Sequence, residues 1–346
     1  MSSARVQFDL SGTLPEVPIR SSRVLDLNVL RARLRFNTKD SEAYSYFASF
    51  APDDSTADFD FTCVDLDHDE LDESVLSRLS DRTIRSKRFR SGYYRGAYFG
   101  APAYLVTRGR EWHVYGRTLE KIVWPYLLKQ ALNVFALDAG YAHLKAAAFA
   151  HPDGGVTLLV GAKGSGKSVF LTRACQGGAR FVTNTHALLR DGVVHGIPSA
   201  LRVRDDECFG DLIRERGLRG HLVDGEYLAT PDVLFGDAAV LSGPVRNVVL
   251  MNYLDGHPAR FERVPSDTAL SFLEQFALAL NVYDLRYDLL EHLDRDVDRY
   301  VAAYGAMRDE LATLCGRAKC YVANVGMQDP AVRRSVLAEL AVSDVR

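Results

Sequence analysis

The run Gly161-Ala162-Lys163-Gly164-Ser165-Gly166-Lys167-Ser168 concentrates glycines, ammonium groups and hydroxyls in one short stretch. Phosphate groups are crowded with acceptor oxygens and carry several negative charges. Glycines let successive backbone N–H groups converge on one such anion, where a Cβ would block the approach. Lys167 adds a mobile full charge suited to β- and γ-phosphates. The Ser168 hydroxyl is of the type that meets a Mg²⁺ ion bridging phosphate oxygens. Chance supplies such a run in roughly one chain in a hundred of this length. Residues Gly161 to Val169 are therefore the expected nucleotide-phosphate contacts.

Such a loop works only between the right elements. VTLLV (156–160) is a compact, β-branched, apolar run that predicts a buried strand. SVFLTRACQ (168–176) has helical spacing at Val169, Phe170, Leu171 and Ala174, and Gly177-Gly178 is a natural stop. A helix begun there turns the positive end of its dipole towards the loop. Strand, glycine loop and helix together make the phosphate reading specific.

Residues 142–189, AHLKAAAFAHPDGGVTLLVGAKGSGKSVFLTRACQGGARFVTNTHALL, resemble the core of HPr kinase-type proteins. The matching features are a histidine-bearing strand (His143), a short turn (Pro152-Asp153-Gly154), the strand into the loop, the helix, and Gly177-Gly178. GIPSALRVR (196–204) and YLATPDVLFG (227–236) resemble later segments of that family. The likeness covers about residues 110–240. It implies an α/β fold: a P-loop mixed sheet with flanking helices, of the phosphoenolpyruvate carboxykinase and HPr kinase type. A mainly β amino-terminal region would be added to it. It also implies ATP and Mg²⁺ as cofactors and phosphoryl transfer as the reaction. Related kinases of peptide natural-product clusters phosphorylate precursor peptides, so the acceptor implied is a peptide or a small metabolite. Relatives assemble into rings, which raises a homo-oligomer as an expectation.

The resemblance has one departure. Members carry an Asp-Asp pair, for Mg²⁺ and for activation of the incoming hydroxyl, where this chain has Asn184-Thr185. Asn184 can bond hydrogen or face a metal together with Ser168, but it cannot take a proton. Thr185 can meet metal-bound water. By its place in the likeness His143 is a candidate polar group near the γ-phosphate, or else a hydrogen-bonded core histidine. In a continuous strand His186 would share the face of Asn184. Lys163 reads equally as a solvated side chain. Arg202 and Arg204 alternate on a strand and would meet either a phosphate or an acidic substrate, or make surface ion pairs. Asp191-Gly192 reads as a hairpin turn.

The rest of the chain bounds the answer. It has 346 residues, 25% of them charged, with a formal charge of −3, which leaves no electrostatic footprint for nucleic acid or an anionic membrane. Cys63, Cys175, Cys208, Cys315 and Cys320 are too scattered for a disulfide framework, so reduced thiols are expected. The start, MSSARVQFDLSG, has no apolar leader segment, and no long apolar run exists, so the expected location is cytoplasmic.

Three regions are expected: an amino-terminal α+β region (1–115), the P-loop core (116–264) and a mainly helical region (265–346). In the first, residues 29–37 and 58–67 alternate as half-buried strands and 103–116 reads as a hairpin. Between them an acidic stretch (65–73) is followed by a basic-aromatic one (78–95). The latter either docks an anion or, more plainly, forms a solvated helix face. Residues 118–135 predict a helix kinked at Pro125. Residues 266–280 predict a helix capped by Ser266, and 288–314 a long helix broken near Gly305. A strand is expected at 319–326, and a last helix from Asp329.

Three functions remain open at this point. One is an ATP-dependent kinase of a hydroxyl or similar nucleophile. A second is a nucleotide-holding regulatory module without the acidic pair. The third is another use of the triphosphate, such as nucleotidyl transfer or hydrolysis.

Overall fold

The computed structural model describes residues 14–79, 89–90, 93–94, 103–218, 222–223, 226–236, 239–253 and 256–342. The amino-terminal stretch examined for a leader segment, and the side chains of the basic-aromatic run, lie outside the described residues. The chain forms two compact units. The second comprises Leu132 onward together with Leu27–Val29 and Ser45–Ser49, and the first comprises the remainder.

The first unit is one mixed sheet. Its strands are β1 (Ser21–Asp26), β2 (Arg31–Phe36), β3 (Phe50–Ala51), β4 (Phe59–Asp65), β5 (Phe89–Arg90), β6 (Tyr93–Tyr94), β7 (Ala103–Arg108) and β8 (Glu111–Gly116). They lie in the order β3-β1-β2-β4-β8-β7-β6-β5, with β2, β4 and β8 mutually parallel. The alternation in β2 works as expected: Ala32, Leu34 and Phe36 are buried, while Arg33 and Arg35 reach Asp60 of β4 at 3.1 and 2.9 Å. One helix, α1 (Glu73–Leu79), follows β4.

The expected helix at 118–135 forms differently. A short 3₁₀ turn (Leu119–Lys121) leads into a π-helical turn (Val123–Leu128), and regular helix α2 runs only from Lys129 to Asp138. Pro125 has no N–H and crowds the carbonyl four residues back, so the chain widens. Leu127 N–H accordingly bonds Ile122 O, five residues back, at 3.0 Å.

The second unit has a mixed sheet covered on both faces by helices. Its central strands are β9 (Ala142–Lys145), β10 (Ala147–Ala150), β11 (Val156–Val160), β12 (Arg180–Thr183), β13 (His186–Arg190) and β14 (Val193–Gly196). A small sheet holds β15 (Leu201–Val203), β16 (Leu222–Val223) and β17 (Glu226–Ala229). The long β18 (Ser242–Met251), β19 (Arg260–Arg263) and β20 (Lys319–Asn324) complete the main sheet. Its order is β12-β10-β11-β18-β14-β13-β9, with β20 also on β18. β11, β18 and β20 are parallel to one another, so their carboxyl ends meet at one edge. Ligands of open α/β sheets bind at such an edge.

The helices are α3 (Lys167–Gln176), α4 (Gly210–Glu215), α5 (Pro231–Phe235), α6 (Ser266–Phe276), α7 (Ala279–Val282), α8 (Arg286–His292), α9 (Val297–Arg317) and α10 (Pro330–Ala341). Alternation along β11 assigns them to two layers. Val156, Leu158 and Val160 face a cluster with Leu273, Leu280, Leu311 and Leu314 of α6, α7 and α9. Leu159 faces Phe170, Leu171, Leu212 and Leu340 of α3, α4 and α10.

Two expectations about the helices need correction. Ser266 is the first residue of α6 and Pro265 holds its cap position, because the fixed φ of proline suits a helix entry. The long carboxyl-terminal helix runs unbroken through Gly305 and breaks between α8 and α9 instead. There Asp294 and Arg295 adopt φ of 55° and 62°, and the Asp296 side chain accepts Arg299 N–H at 3.0 Å to start α9. A local cap of that kind outweighs one helix-interior glycine. β20 and α10 lie where expected, with Asp329 capping α10. All five cysteines are free.

Candidate functional site

The loop begins where β11 ends. Strand burial is complete from Val156 to Val160, so the chain must turn sharply over Met251 at the end of β18. A Cβ at Gly161 would stand 2.4 Å from Met251 O and 2.6 Å from Ser165 Oγ, so only glycine fits. Gly164 and Gly166 both adopt φ of 84°, in the left-handed region that side chains avoid. α3 starts at Lys167 with Gly166 as its cap, without a side-chain cap and without an acidic residue in its first turn. Its first N–H groups have no intrahelical partner and point at the loop. At its far end Gly178, with φ of 98°, lets Ala179 N–H bond back to Ala174 O at 3.1 Å, as the Gly-Gly pair foretells.

Lys167 is folded into this loop. Its Nζ donates to Gly161 O at 2.8 Å, Ala162 O at 2.7 Å and Ser165 Oγ at 3.1 Å, which uses all three protons of the ammonium. Burial pushes its pKa down to about 8, and the nearby Lys145 ammonium adds to the effect. Ala162, Lys163 and Gly164 are exposed, whereas Ser168 and Val169 are half-buried. Tyr253, two residues past β18, lies against Gly166: a Cβ there would sit 3.1 Å from Tyr253 Cβ.

β12 ends beside the same edge, because β10 pairs with both β11 and β12. Asn184 and Thr185 form the bend between β12 and β13. Both are half-buried, and their side chains make no hydrogen bond among the described residues; Thr185 O accepts Ala146 N–H at 3.0 Å. The bend removes the continuous strand in which His186 would share a face with Asn184. His186 opens β13, wholly buried, and its Nδ1 lies 3.0 Å from His143 Nε2. His143 is also fully buried, so the structure makes it one half of a histidine pair inside the sheet. The pair leads outward: the His186 ring centroid lies 5.4 Å from that of Tyr283, whose hydroxyl pKa burial pushes up.

Arg202 and Arg204 stand on the small sheet. Both converge on Glu226 of β17, Arg202 at 3.6 Å and Arg204 in a closer ion pair, and Arg202 also donates to Tyr46 Oη at 3.2 Å. Of the two readings open for these arginines, the structure displays the ion-paired one. No described contact joins them to the loop.

Sequence reasoning passed over Lys145, Tyr253 and Tyr283. Lys145 ends β9, opposite His186, and its Nζ lies 5.5 Å from the Tyr283 ring centroid. Its pKa is lowered, by burial first and then by Lys163. The only signal in the sequence was its place two residues after His143, inside the stretch that carries the family likeness.

No family model matches the chain, and no curated protein matches it. Among solved structures, the HPr(Ser) kinase/phosphatase from Coxiella burnetii aligns with 35% of this chain and 77% of its own length. The identity is 15% and the TM-score 0.24, a likeness too slight to bear on activity. Within the described residues no helix is long and apolar enough to cross a membrane.

Proposed function

We propose that the chain binds a nucleoside triphosphate through the Gly161–Ser168 loop and transfers its terminal phosphoryl group to a hydroxyl or similar nucleophile of a peptide or small metabolite. One observation carries the reading. A glycine loop leaves the carboxyl end of a parallel strand, enters a helix with no side-chain cap, and folds a desolvated lysine ammonium against its own carbonyls. The resemblance of residues 142–189 to HPr kinase-type proteins supports the same reading. Gly161 to Val169 hold the phosphates, with Lys167 moving from loop carbonyls to phosphate oxygens.

In the transfer, an acceptor oxygen attacks the γ-phosphorus, the bond to the β-phosphate oxygen breaks, and the diphosphate leaves. The transition state is loose, so positioning and charge neutralisation dominate. Asn184 and Thr185 orient the acceptor by hydrogen bonds, and the acceptor's proton leaves to solvent or to a phosphate oxygen. Ser168 and Asn184 offer neutral oxygens to a Mg²⁺ ion that arrives with the nucleotide, and such an ion would supply charge neutralisation at the phosphates. His143 acts behind His186 rather than on the nucleotide. ATP is the probe of choice.

The test is binding of ATP by calorimetry, followed by release and transfer of label from γ-labelled ATP to water and to hydroxyl-bearing peptides. Lys167→Ala is expected to weaken binding about 10- to 100-fold, the scale of charge-assisted bonds. Asn184→Asp is expected to raise turnover, by up to the roughly 10²-fold lower bound of general base catalysis. Undiminished ATP binding by Lys167→Ala overturns the site. Tight binding with no turnover in either protein favours the second reading, a regulatory module, which the neutral Asn184-Thr185 pair makes specific.

A further inference from the structure

We propose that the cleft between α3, α4, α5 and α10 binds a small dianion, a phosphate group or a dicarboxylate, held by Arg173, Arg216 and Arg333. The inference stands apart from the reading of the loop, because the cleft lies at the far end of α3 from Lys167.

The enclosure comes first. Arg173 and Gln176 in the last turn of α3, Leu212 and Arg216 at α4, Leu234 of α5 and Arg333 of α10 surround a cavity of about 420 Å³. Small-molecule pockets span roughly 300–1,000 Å³. Leu212 and Leu234 are buried in the same apolar cluster as Phe170, Leu171 and Leu340, so the helices that carry the arginines are fixed by packing.

Charge comes next. The cleft holds three guanidinium groups and one carboxylate, that of Glu215, which leaves two positive charges in excess. Burial pushes the Cys175 thiol at its wall up to about 12, so that group adds no negative charge. Among the described residues, the side chains of Arg216, Arg333 and Glu215 make no hydrogen bond or ion pair. Arg173 is only partly engaged. Its Nη1 donates to Gln176 Oε1 at 2.8 Å and its Nη2 to Cys208 O at 3.0 Å. Its Nε is buried and has no hydrogen-bond partner among the described residues. A buried donor without a partner is costly, and like charges gathered in a partly buried cleft repel.

Helix ends account for two of these arginines and not for the third. Arg173 lies in the last turn of α3 and Arg216 caps the end of α4, where a cation offsets the carbonyl end of the helix dipole. Arg333 lies in the first turn of α10, at the end that disfavours a cation, and it is half-buried. An anion in the cleft turns that unfavourable placement into a favourable one. Guanidinium forks match the paired oxygens of carboxylates and phosphates. Two excess charges and several N–H donors therefore select a phosphate group or a dicarboxylate.

The experiment titrates the full chain by calorimetry with inorganic phosphate and with succinate, in about 0.15 M NaCl so that diffuse attraction is screened. The unaltered protein is expected to bind at least one of them at about 1 mM or tighter. Arg216→Gln and Arg333→Gln should each weaken that binding about tenfold, and Glu215→Gln should tighten it a fewfold, a gain that misfolding cannot mimic. Lys167→Ala should retain it. Thermal melting checks that the variants fold. Preference for phosphate assigns the site to a phosphate group, and preference for succinate to a dicarboxylate; either upholds it. No binding of either ion up to about 30 mM overturns the inference. Affinity that is unchanged in all three cleft variants, or lost in Lys167→Ala, overturns it too, since the ion then sits elsewhere. The reading of the loop is tested by ATP and does not depend on these outcomes.

Discussion

At the scale of single residues, two glycines of the same loop do different things. Gly161 is required by space, because any Cβ runs into Met251 O at 2.4 Å. Gly164 is required by conformation alone: its φ is 84° and nothing stands within 4 Å of a Cβ. Gly164→Ala should therefore cost about 1 kcal/mol, the strain of a left-handed alanine, and keep ATP binding within a fewfold. Gly161→Ala should cost more, about 1–3 kcal/mol, since main chain rather than a flexible side chain must yield. It should also abolish binding by displacing the loop. Denaturant titration and calorimetry of the two variants side by side check this. The glycines were legible in the sequence because loop, strand and helix are contiguous. Lys145 was not, because nothing in its own neighbourhood says that its ammonium ends up over the Tyr283 ring.

At the scale of elements, the β10–β11 hairpin that delivers the loop is held by a polar cluster. His151 Nε2 lies 2.8 Å from Thr157 Oγ1, which also accepts Asn247 Nδ2–H at 3.0 Å. Burial, and after it the Arg246 charge, lowers the His151 pKa. A histidine depressed in the folded state contributes full stability above its ordinary pKa near 6.5 and loses it as pH falls below that, because the unfolded chain takes up the proton first. The melting temperature should therefore fall as pH drops from about 6.5 towards the depressed folded value. His151→Gln, which keeps a polar partner for Thr157, should flatten that fall. Identical pH profiles for the two proteins would dismiss His151 as the cause. The carboxyl-terminal helices teach a related lesson. The pattern disclosed their existence, but the break fell at the Asp296 cap rather than at Gly305, since glycine in a helix interior costs only about 1 kcal/mol and an aspartate cap recovers as much.

At the scale of the whole molecule, the strand that carries the loop shares its core with the helices at the end of the chain. Val156, Leu158 and Val160 belong to one apolar cluster with Leu273, Leu280, Leu311 and Leu314. Leu311→Ala should cost about 2–5 kcal/mol, as a fully buried leucine does. A fragment ending at residue 264 should fail to give a cooperative melt or protected amides in β11. A well-folded fragment would show that the carboxyl-terminal region is independent. Two short segments from early in the chain, Leu27–Val29 and Ser45–Ser49, also belong to this unit. Asn28 donates there to Gly196 O and Leu241 O at 3.2 and 3.0 Å.

By itself the sequence determined the loop, the strand before it and the helix after it. Such a loop is built from consecutive backbone groups, and glycine, lysine and serine at fixed spacing specify their conformation locally. It also exposed the neutral Asn184-Thr185 pair by simple position. Only the tertiary structure decided which distant side chains meet: Tyr283, from between α7 and α8, stands against Lys145 and His186, and Tyr253, from beyond the end of β18, against Gly166. It likewise joined His143 to His186 and both arginines to Glu226. Those meetings depend on sheet register and on the order of strands. A shift of one residue in register turns a side chain to the opposite face, and no local propensity encodes that choice.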